Sequence, residues 1–429
     1  MADTKTSSRN PWGWIPTLYF AEGLPYALVM TVSVVLYKNL GVSNTDIAFY
    51  TSWLYLPWIL KPLWSPVVDL LQTRRWWIWT MQLLLGAGLA GVALTIPAPH
   101  YLQLTLAFFW LLAFSSATHD IAADGFYMLA LREHEQAFFS GIRSVFYRVA
   151  MICAQGGLVI LAGKIQARTG DFKSAWLASF AVAAGLFFCL SFFHRSVLPR
   201  PENDRTGSAG SPGQFPGNFF TTFATFFQKP KIIVLLLFLL LYRLGEAQLV
   251  KMVQPFLLDP RAQGGLGLNN DQLGLIYGTV GVVAMLLGGL LGGFVVARQG
   301  LKFWLWPMLL AIHLPDAVFV WLAYVRPEHL FVIGAGVAIE QFGYGFGFTA
   351  FMLYMIYIAR GEHQTAHYAI CTGFMALGMM LPGLGSGWLQ EHLGYPHFFV
   401  WVLLATIPSF LVALRIPLDA NFGKKAAAP

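Results

Sequence analysis

The sequence is short of charge. Only 11% of its 429 residues are Asp, Glu, Lys or Arg, while 57% are hydrophobic. An ordinary soluble domain carries about 25% charged residues, and a soluble chain of this length would need polar residues to cover two or three domains. Because there is too little polar material to cover those surfaces, lipid must be the solvent for much of the chain.

Cysteine is scarce, and several catalytic patterns are missing. Cys153, Cys189 and Cys371 lie in apolar stretches without CxxC spacing, so we expect buried thiols and neither a disulfide nor a zinc site. The glycine spacing near Lys164 fails the phosphate-binding pattern, since Ile165 stands where Ser or Thr is required. GxSxG and HExxH are missing too. We therefore expect no enzyme, metal or cofactor, and an ion gradient as the energy source.

Long apolar segments recur along the chain. A bilayer-spanning helix needs about 20 mostly apolar residues, and the sequence contains about twelve such segments. The first is too long for a signal peptide and lacks a cleavage site, so we expect it to be retained. The segments are 12–37, 46–70, 76–96, 101–130, 141–164, 174–194, 231–257, 271–297, 302–324, 329–359, 366–390 and 395–415.

One long polar stretch divides these segments into two sets of six. We expect an N-terminal bundle over 12–194, a Gly/Ser/Pro-rich cytoplasmic linker over 195–230 and a C-terminal bundle over 231–415. Lys and Arg number 17 in the segments inside the cell, if the N-terminus is cytoplasmic, and 6 in the outer loops. This bias predicts that both termini are cytoplasmic. The same excess of Lys and Arg in cytoplasmic segments explains the net charge of +7, so no nucleic-acid partner is needed to account for it.

Ten Asp, Glu, Lys and Arg side chains fall inside the predicted spans, away from the span ends. Each costs roughly 2.5–3.5 kcal/mol at a helix centre, so ten facing lipid would cost on the order of 25–35 kcal/mol, more than the ~5–15 kcal/mol that stabilises a typical protein. We therefore expect them to face the bundle interior or a hydrated cavity. They are Glu22, Lys61, Asp120, Asp124, Arg148, Arg243, Glu246, Lys251, Asp316 and Glu340.

Asp120 and Asp124 are the most informative pair. Their i, i+4 spacing puts both carboxylates on one helix face. Two neighbouring carboxylates in a low-dielectric interior resist joint ionisation, so the pair can carry a proton. The alternative is that Arg148, on the following helix, neutralises one of them as a structural ion pair. His119 points away from the pair, and we expect it to be a packing residue.

The seventh span carries two cations and one acid. Arg243 and Glu246, at i, i+3, can satisfy each other, and a surplus cation such as Lys251 suits an anionic substrate group. Glu340 corresponds by position to the acids of the fourth span, where it either couples protons or pairs with a cation. Asp316 receives no role.

The second span and the loop after it contain a further charged group. Lys61 stands among three prolines, so it either lines a cavity at a kink or extends to the cytoplasmic interface. Asp69, Arg74 and Arg75 form an acidic–basic loop that we interpret as a gate or latch. Elsewhere, the glycines over 288–293 have small-xxx-small spacing, which is typical of close helix packing.

These residues resemble the AmpG-type muropeptide permeases of the major facilitator superfamily, a group that also includes acetyl-CoA transporters. The resemblance extends from about Trp12 to Val412, and the paired-aspartate segment is its most specific part. The resembling segments are Glu22-Gly-Leu-Pro-Tyr26, Leu60-Lys-Pro-Leu-Trp-Ser-Pro-Val-Val-Asp69, Ser115-Ser-Ala-Thr-His-Asp-Ile-Ala-Ala-Asp124, Tyr147-Arg148, Leu241-Tyr-Arg-Leu-Gly-Glu246, Gln254-Pro-Phe-Leu-Leu258, Glu340 and Gly383-Leu-Gly-Ser-Gly-Trp-Leu389.

The resemblance implies an all-α membrane protein of the major facilitator fold, with two six-helix bundles that rock about a central cavity. It also implies proton-driven import of anhydro-muropeptides, an anionic glycopeptide-like substrate, across the bacterial inner membrane. We expect proton coupling from Asp120, Asp124, Glu340 and Glu22, substrate binding from Arg148, Arg243, Glu246, Lys251 and Lys61, and gating from Asp69, Arg74 and Arg75.

Other functions remain open from the sequence. The chain differs from the family in a shortened basic stretch, Thr73-Arg-Arg75, and in carrying Arg243 where Lys is frequent. A transporter of another small solute, such as a drug, a siderophore or an acyl-CoA-like anion, is the main alternative. An acyltransferase using His119 and Asp120, and a receptor that transports nothing, are alternatives of a different class.

Overall fold

The computed structural model describes residues 9–201, 204, 223–361 and 364–424. No β-strand occurs among these described residues, which confirms the all-α prediction. Of the predicted linker 195–230, residues 202–203 and 205–222 lie outside the described part of the chain. Within the described helices, eight side chains are also outside it: Pro66, Val67, Asp69, Leu70, Glu133, His134, Ala137 and Thr365.

The described residues of the first half form nine α-helices, and a long polar segment of the sequence follows them. Their bounds are α1 Ile15–Ala27, α2 Ser33–Asn39, α3 Asn44–Trp53, α4 Leu56–Leu71, α5 Arg74–Thr95, α6 Tyr101–Ala130, α7 Glu133–Ile152, α8 Val159–Thr169 and α9 Phe172–Val197.

The second half contributes nine more described α-helices. They are α10 Ile232–Leu241, α11 Leu244–Leu258, α12 Asn270–Leu275, α13 Val282–Gln299, α14 Leu301–His313, α15 Ala317–Val325, α16 Leu330–Ala359, α17 Gln364–Leu404 and α18 Ile407–Ala413.

Ten helical segments in the described residues are long and apolar enough to cross a bilayer. The last of them, Ala366–Ala413, has 48 residues, more than twice the ~20 that one crossing needs. Gly394 breaks its helical geometry with φ 70° and ψ 162°, so it contains two of the predicted spans. The predicted second span corresponds to α3 and α4, which a short turn separates. It is not among the ten, so the number twelve depends on this segment and stays a prediction.

Several long helices are interrupted by π-helical turns. These turns cover Leu28–Val32 between α1 and α2, Cys153–Leu158 between α7 and α8, and Ile276–Gly281 between α12 and α13. Pro25 lies inside α1 just before the first of them, and proline removes a backbone hydrogen bond from a helix. Because π-turns in α-helices occur frequently at functional sites, the π-turn after α1 makes the surroundings of α1 a candidate location for a functional site.

The chain divides into two compact units. Unit 1 comprises Met1–Leu36 and Leu60–Pro216, and unit 2 comprises Tyr37–Ile59 and Gly217–Pro429. In unit 1, α5 packs against α6 and α9, and α1 packs against α7. A Cβ atom at Gly23 would lie 2.7 Å from the carbonyl oxygen of Tyr147. Glycine at this position therefore allows α1 and α7 to approach closely enough for side chains on both to meet.

Unit 2 uses glycines for the same purpose. A Cβ atom at Gly288 of α13 would overlap the carbonyl oxygen of Phe342, and one at Gly345 of α16 would overlap that of Met285. The small-xxx-small segment therefore lies at a close helix contact, as the sequence predicted.

Residues 37–59 pack within unit 2, although the sequence analysis placed them in the N-terminal bundle. Helix α3 packs against α17 and α11. A Cβ atom at Gly383 would lie 2.6 Å from Ser52 Oγ, and one at Gly387 would overlap the carbonyl oxygen of Asn44. These two glycines, one helical turn apart, give the Gly383–Leu389 segment a structural role as the surface on which α3 lies.

The cysteine prediction is wrong at two positions. Cys371 is buried, but the side chains of Cys153 and Cys189 are exposed, and all three thiols are free. An apolar neighbourhood does not imply burial in a membrane protein, because lipid tails are as apolar as a protein core.

Candidate functional site

The two aspartates of α6 lie one turn apart but bind different cations. Asp120 forms an ion pair with Lys61 of α4. Asp124 forms one with Arg143 of α7, with 3.0 Å between Arg143 Nη2 and Asp124 Oδ1. Their i, i+4 spacing predicted that these two carboxylates can share a proton. The structure gives each of them its own counter-charge on a separate helix.

Aromatic rings hold the Asp124–Arg143 ion pair in place. The Tyr19 hydroxyl donates a hydrogen bond to Asp124 Oδ1 at 3.2 Å. The Arg143 guanidinium lies 4.5 Å from the centre of the Tyr19 ring and 5.1 Å from that of Tyr127. A guanidinium over an aromatic face gains about 0.5–2 kcal/mol, more when it is shielded from water. Tyr19 therefore contacts both members of the ion pair.

Arg143 is a functional candidate that the sequence analysis missed. It lies at the start of the predicted fifth span and is one of the 17 Lys and Arg residues assigned to the cytoplasmic side, so the sequence suggested Arg148 instead as the possible partner of an aspartate. The structure places Arg143 on Asp124, while Arg148 is half-buried with Nη1 3.6 Å from Met151 Sδ. The available signal was that Phe138–Thr169 is one continuous apolar segment, so a cation in its first turns required a partner.

Glu22 of α1 completes a group that we call the unit 1 charge cluster: Glu22, Lys61, Asp120, Asp124 and Arg143. Glu22 is 8% exposed, and its Oε2 has no hydrogen-bond partner among the described residues. The charges that act on it are those of Asp124, Arg143 and Lys61. Three carboxylates face two cations, so one negative charge in this cluster is not compensated by its cations.

His119 belongs to a buried polar chain on another face of α6. Its Nε2 lies 2.9 Å from Gln82 Nε2 of α5, and Gln82 Oε1 lies 2.8 Å from His194 Nδ1 of α9. His194 Nε2 lies 2.9 Å from Thr17 Oγ1 of α1. These hydrogen bonds link four helices of unit 1, so His119 has a polar structural role beyond simple packing, and among the described residues its ring forms no hydrogen bond with either aspartate.

Of the predicted gating residues, Arg74 and Arg75 lie at the start of α5, whereas Asp69 lies near the end of α4. The Asp204 carboxylate accepts hydrogen bonds from the backbone N–H groups of Arg74 and Arg75, at 2.8 and 3.1 Å, and so satisfies free donors at a helix N-terminus. The Arg74 guanidinium donates to the carbonyl oxygen of Gly125 on α6 at 3.1 Å. The side chain of Asp69 lies outside the described residues. A gating role for this group stays a prediction.

Unit 2 contains a second group, the three-carboxylate cluster of Glu246, Asp316 and Glu340. One carboxylate oxygen from each lies within 4.8 Å of the others, and each residue is at most 1% exposed. They come from α11, from the short 3-10 turn Leu314–Asp316 and from α16. The sequence analysis gave Asp316 no role, because only the tertiary packing brings it beside the other two.

The predicted Arg243–Glu246 pair does not form a hydrogen bond. Neither Glu246 oxygen has a hydrogen-bond donor among the described residues. Arg243 Nη2 instead donates to the Tyr344 hydroxyl at 2.6 Å, and its guanidinium lies 4.9 Å from the centre of the Phe348 ring. Side chains at i and i+3 lie side by side only on a continuous helix. Arg243 precedes α11 with φ −114° and ψ 24°, which is outside helical geometry.

Lys251 is buried and has no acidic partner among the described residues. It is 2% exposed, its Nζ donates to Thr51 Oγ1 of α3 at 2.9 Å, and it lies 5.3 Å from the centre of the Tyr55 ring. Among the described residues Lys251 forms no ion pair. A buried cation of this kind can hold an anionic group of a ligand.

A polar network also ties residues 37–59 to the rest of unit 2. Asp259 forms an ion pair with Lys38 Nζ at 2.5 Å, and it accepts a hydrogen bond from the Tyr395 hydroxyl at 2.6 Å. Asn44 Nδ2 donates to Gln390 Oε1 at 2.6 Å and to the Tyr395 hydroxyl at 3.0 Å. Asp259 is therefore the charged centre of the network.

We expect Asp259→Asn to lower the free energy of unfolding by about 2–4 kcal/mol, because the substitution leaves the Lys38 ammonium partly buried without its counter-charge. Thermal unfolding of the purified protein measures this. The matched control is Asp419→Asn, since Asp419 is exposed and its ion pair with Arg360 is long, at 3.7 Å. Equal melting temperatures for the two variants would show that the network contributes nothing specific.

Two features of the first helices correspond between the halves. Tyr19 and Glu22 in α1 resemble Tyr242 and Glu246 around the start of α11, and both glutamates are buried with oxygens that lack a hydrogen-bond partner among the described residues. The spacing differs by one residue. This short sequence similarity between the two halves thus corresponds to a buried carboxylate in each unit.

Helices long and apolar enough to cross a bilayer, with buried charged groups in both units, are typical of a multi-pass secondary transporter. A sequence profile described as Major Facilitator Superfamily matches residues 17–381. The chain belongs to the Major Facilitator Superfamily.

Individual relatives and solved structures agree with this assignment. The chain is 27% identical to the "Anhydromuropeptide permease" of Escherichia coli (strain K12), over 92% of this chain and 78% of that protein. It is 25% identical to "Putative transporter AmpG 4" of Rickettsia conorii, over 94% and 96%. These matches confirm the resemblance to AmpG-type permeases.

The fold is also that of solved transporters. A D-xylose-proton symporter superposes with a TM-score of 0.70 at 12% identity, covering 96% of this chain and 98% of its own. The nucleoside transporter NupG superposes with a TM-score of 0.67 at 15% identity, covering 93% and 97%. The family match and the AmpG-type relatives show that this chain is a transporter and not an enzyme.

Proposed function

We propose that this transporter imports muropeptide-like, anionic cell-wall fragments across the bacterial inner membrane and couples their entry to protons, with both termini in the cytoplasm. The name of the Escherichia coli relative supports the substrate class. The excess of Lys and Arg in the predicted cytoplasmic segments supports the orientation.

The observation that carries proton coupling is Glu22. In the unit 1 charge cluster, Asp120 and Asp124 each have a cation, whereas the buried Glu22 carboxylate has an oxygen without any partner among the described residues. One proton on Glu22 makes the cluster neutral. Because an uncompensated charge is costly in a membrane interior, the loaded and unloaded forms of Glu22 favour different surroundings, which is what coupling requires. Asp120 and Asp124 then act by positioning Lys61 and Arg143.

Two cations of unit 2 support an anionic substrate. Lys251 has no acidic partner among the described residues, and Arg243 presents a guanidinium fixed against Tyr344. Guanidinium and ammonium groups bind carboxylates and phosphates. We propose Lys251 and Arg243, both of unit 2, as groups that bind the substrate, while a binding role for Arg148 of unit 1 stays a prediction. Lys61, which is already paired with Asp120, contributes to the charge balance instead.

The proposal is tested with the purified protein in proteoliposomes. Labelled anhydro-muropeptide is added outside, and uptake is compared with and without an acidic outer pH. We expect the gradient to drive accumulation, a protonophore to abolish it and an amidated, neutral muropeptide to compete weakly. Uptake that ignores the gradient would remove the coupling. Transport of an acyl-CoA-like anion in place of the muropeptide would favour the alternative substrate.

A further inference from the structure

The three-carboxylate cluster of unit 2 lacks the partners that buried carboxylates require. Both oxygens of Glu246 and both of Asp316 have no hydrogen-bond donor among the described residues. Only Glu340 has one, since Gln341 Nε2 donates to its Oε2 at 3.0 Å. Most buried polar atoms in proteins are hydrogen-bonded. Four unpartnered oxygens on two fully buried side chains that meet at one point therefore indicate a missing ligand.

The charge of the cluster gives the sign of that ligand. One oxygen of each of the three carboxylates lies within 4.8 Å of the others, and the Arg243 guanidinium, whose charge acts on Glu246, supplies a single positive charge while it donates to Tyr344. Two further positive charges are needed for neutrality. Burying charges without such compensation costs several kcal/mol each, so the cluster requires protons, a metal cation or both.

The geometry and the donor atoms suit a metal cation. A hard cation such as Ca²⁺ binds oxygen ligands at about 2.3–2.6 Å, so oxygens on opposite sides of it are about 4.6–5.2 Å apart. Oxygens that all lie within 4.8 Å of one another can therefore share one ion of this size. The three carboxylates also come from three separate elements, so a cation bound between them would contact all three elements.

We propose that Glu246, Asp316 and Glu340 form a binding site for a hard metal cation of the size of Na⁺ or Ca²⁺. The bound cation joins α11, the Leu314–Asp316 turn and α16 within unit 2. This site is distinct from the proton-binding role proposed for Glu22, and its test does not depend on any transported substrate.

The test measures cation binding directly on the purified full-length protein at pH 8. After removal of metals with a chelator, the melting temperature is compared in NaCl, in CaCl₂ and in choline chloride at equal ionic strength. Binding of radiolabelled Na⁺ and Ca²⁺ is measured on the same samples. We expect one of the two metal salts, or both, to raise the melting temperature by a few °C relative to choline, together with saturable binding of the label. The arm that responds identifies the ion.

Variants then locate the ion. We expect Asp316→Asn and Glu340→Gln to lose the metal-dependent rise in melting temperature and to reduce label binding at least tenfold. The matched control is Glu22→Gln, a buried glutamate of unit 1 that also has an oxygen without a partner among the described residues, and it should bind the ion normally. If Asp316→Asn does not fold, Glu340→Gln and the wild-type measurements decide. Wild-type protein that responds equally to all three salts and binds no label would overturn the proposal, as would undiminished binding in Glu340→Gln.

Discussion

Glu22→Gln should abolish the concentrative uptake of substrate while leaving the exchange of substrate across the vesicle membrane intact. The substitution keeps the size of the side chain but makes the unit 1 charge cluster permanently neutral, so no proton is bound or released there. One pH unit is worth about 1.4 kcal/mol, which is a tenfold concentration ratio. In vesicles with a gradient of one unit, a one-proton importer should reach about tenfold accumulation, and the variant should stop at equal concentrations.

The control for this prediction is Glu328→Gln, a change of the same chemistry at an exposed position. It should accumulate substrate as the wild type does. Exchange is measured by preloading the vesicles with unlabelled substrate and following entry of label without a gradient. Gradient-driven accumulation by Glu22→Gln at the wild-type level would show that the proton binds elsewhere, and loss of exchange together with accumulation would indicate a general defect.

Arg143→Met should be the most damaging single change in unit 1. It removes the counter-charge of Asp124 and the cation above the Tyr19 ring. Asp124 is more than a third exposed, so solvent screens part of the loss, and we expect the free energy of unfolding to fall by about 2 kcal/mol. Two uncompensated negative charges would remain in the cluster, so uptake should fall by about 100-fold, the effect of roughly 2.7 kcal/mol.

A second substitution separates the charge effect from a packing effect. In Arg143→Met/Asp124→Asn the charge balance of the cluster returns to that of the wild type, so most of the lost stability should be recovered. Arg143→Lys keeps the charge but loses the planar group that lies over the rings, so it should retain an intermediate level of uptake. Melting curves and uptake rates measure both. A double variant no more stable than Arg143→Met would contradict the assigned ion pair.

The membrane-spanning fold could be predicted from the sequence because its signal is local. Apolar segments of about 20 residues, separated by short polar breaks, require only the length of a helix and the thickness of a bilayer. The contacts that group the helices into units join residues that are far apart in the chain. The grouping of residues 37–59 with unit 2 depends on the contact of α3 with Gly383 and Gly387, which are more than 300 positions away in the chain.

The candidate sites were predicted by residue type, and their partners were not. A charged residue inside a span is visible in the sequence, and all ten such residues are buried or half-buried in the structure. The identity of each partner depends on how the helices rotate and pack. Thus Asp124 forms an ion pair with Arg143 and shares no proton with Asp120, and the break before α11 leaves Glu246 without a hydrogen bond from Arg243. Asp316 becomes a candidate ligand only in the folded structure, because the turn that carries it lies beside α11 and α16.

Proton movement itself tests the central claim most directly. Vesicles that contain the purified protein and a trapped pH-sensitive dye are mixed with unlabelled anhydro-muropeptide, with no gradient imposed. If Glu22 binds the coupling proton, substrate addition should acidify the lumen of wild-type vesicles, and the signal should vanish in Glu22→Gln. A wild-type lumen whose pH does not change while substrate enters would contradict the account.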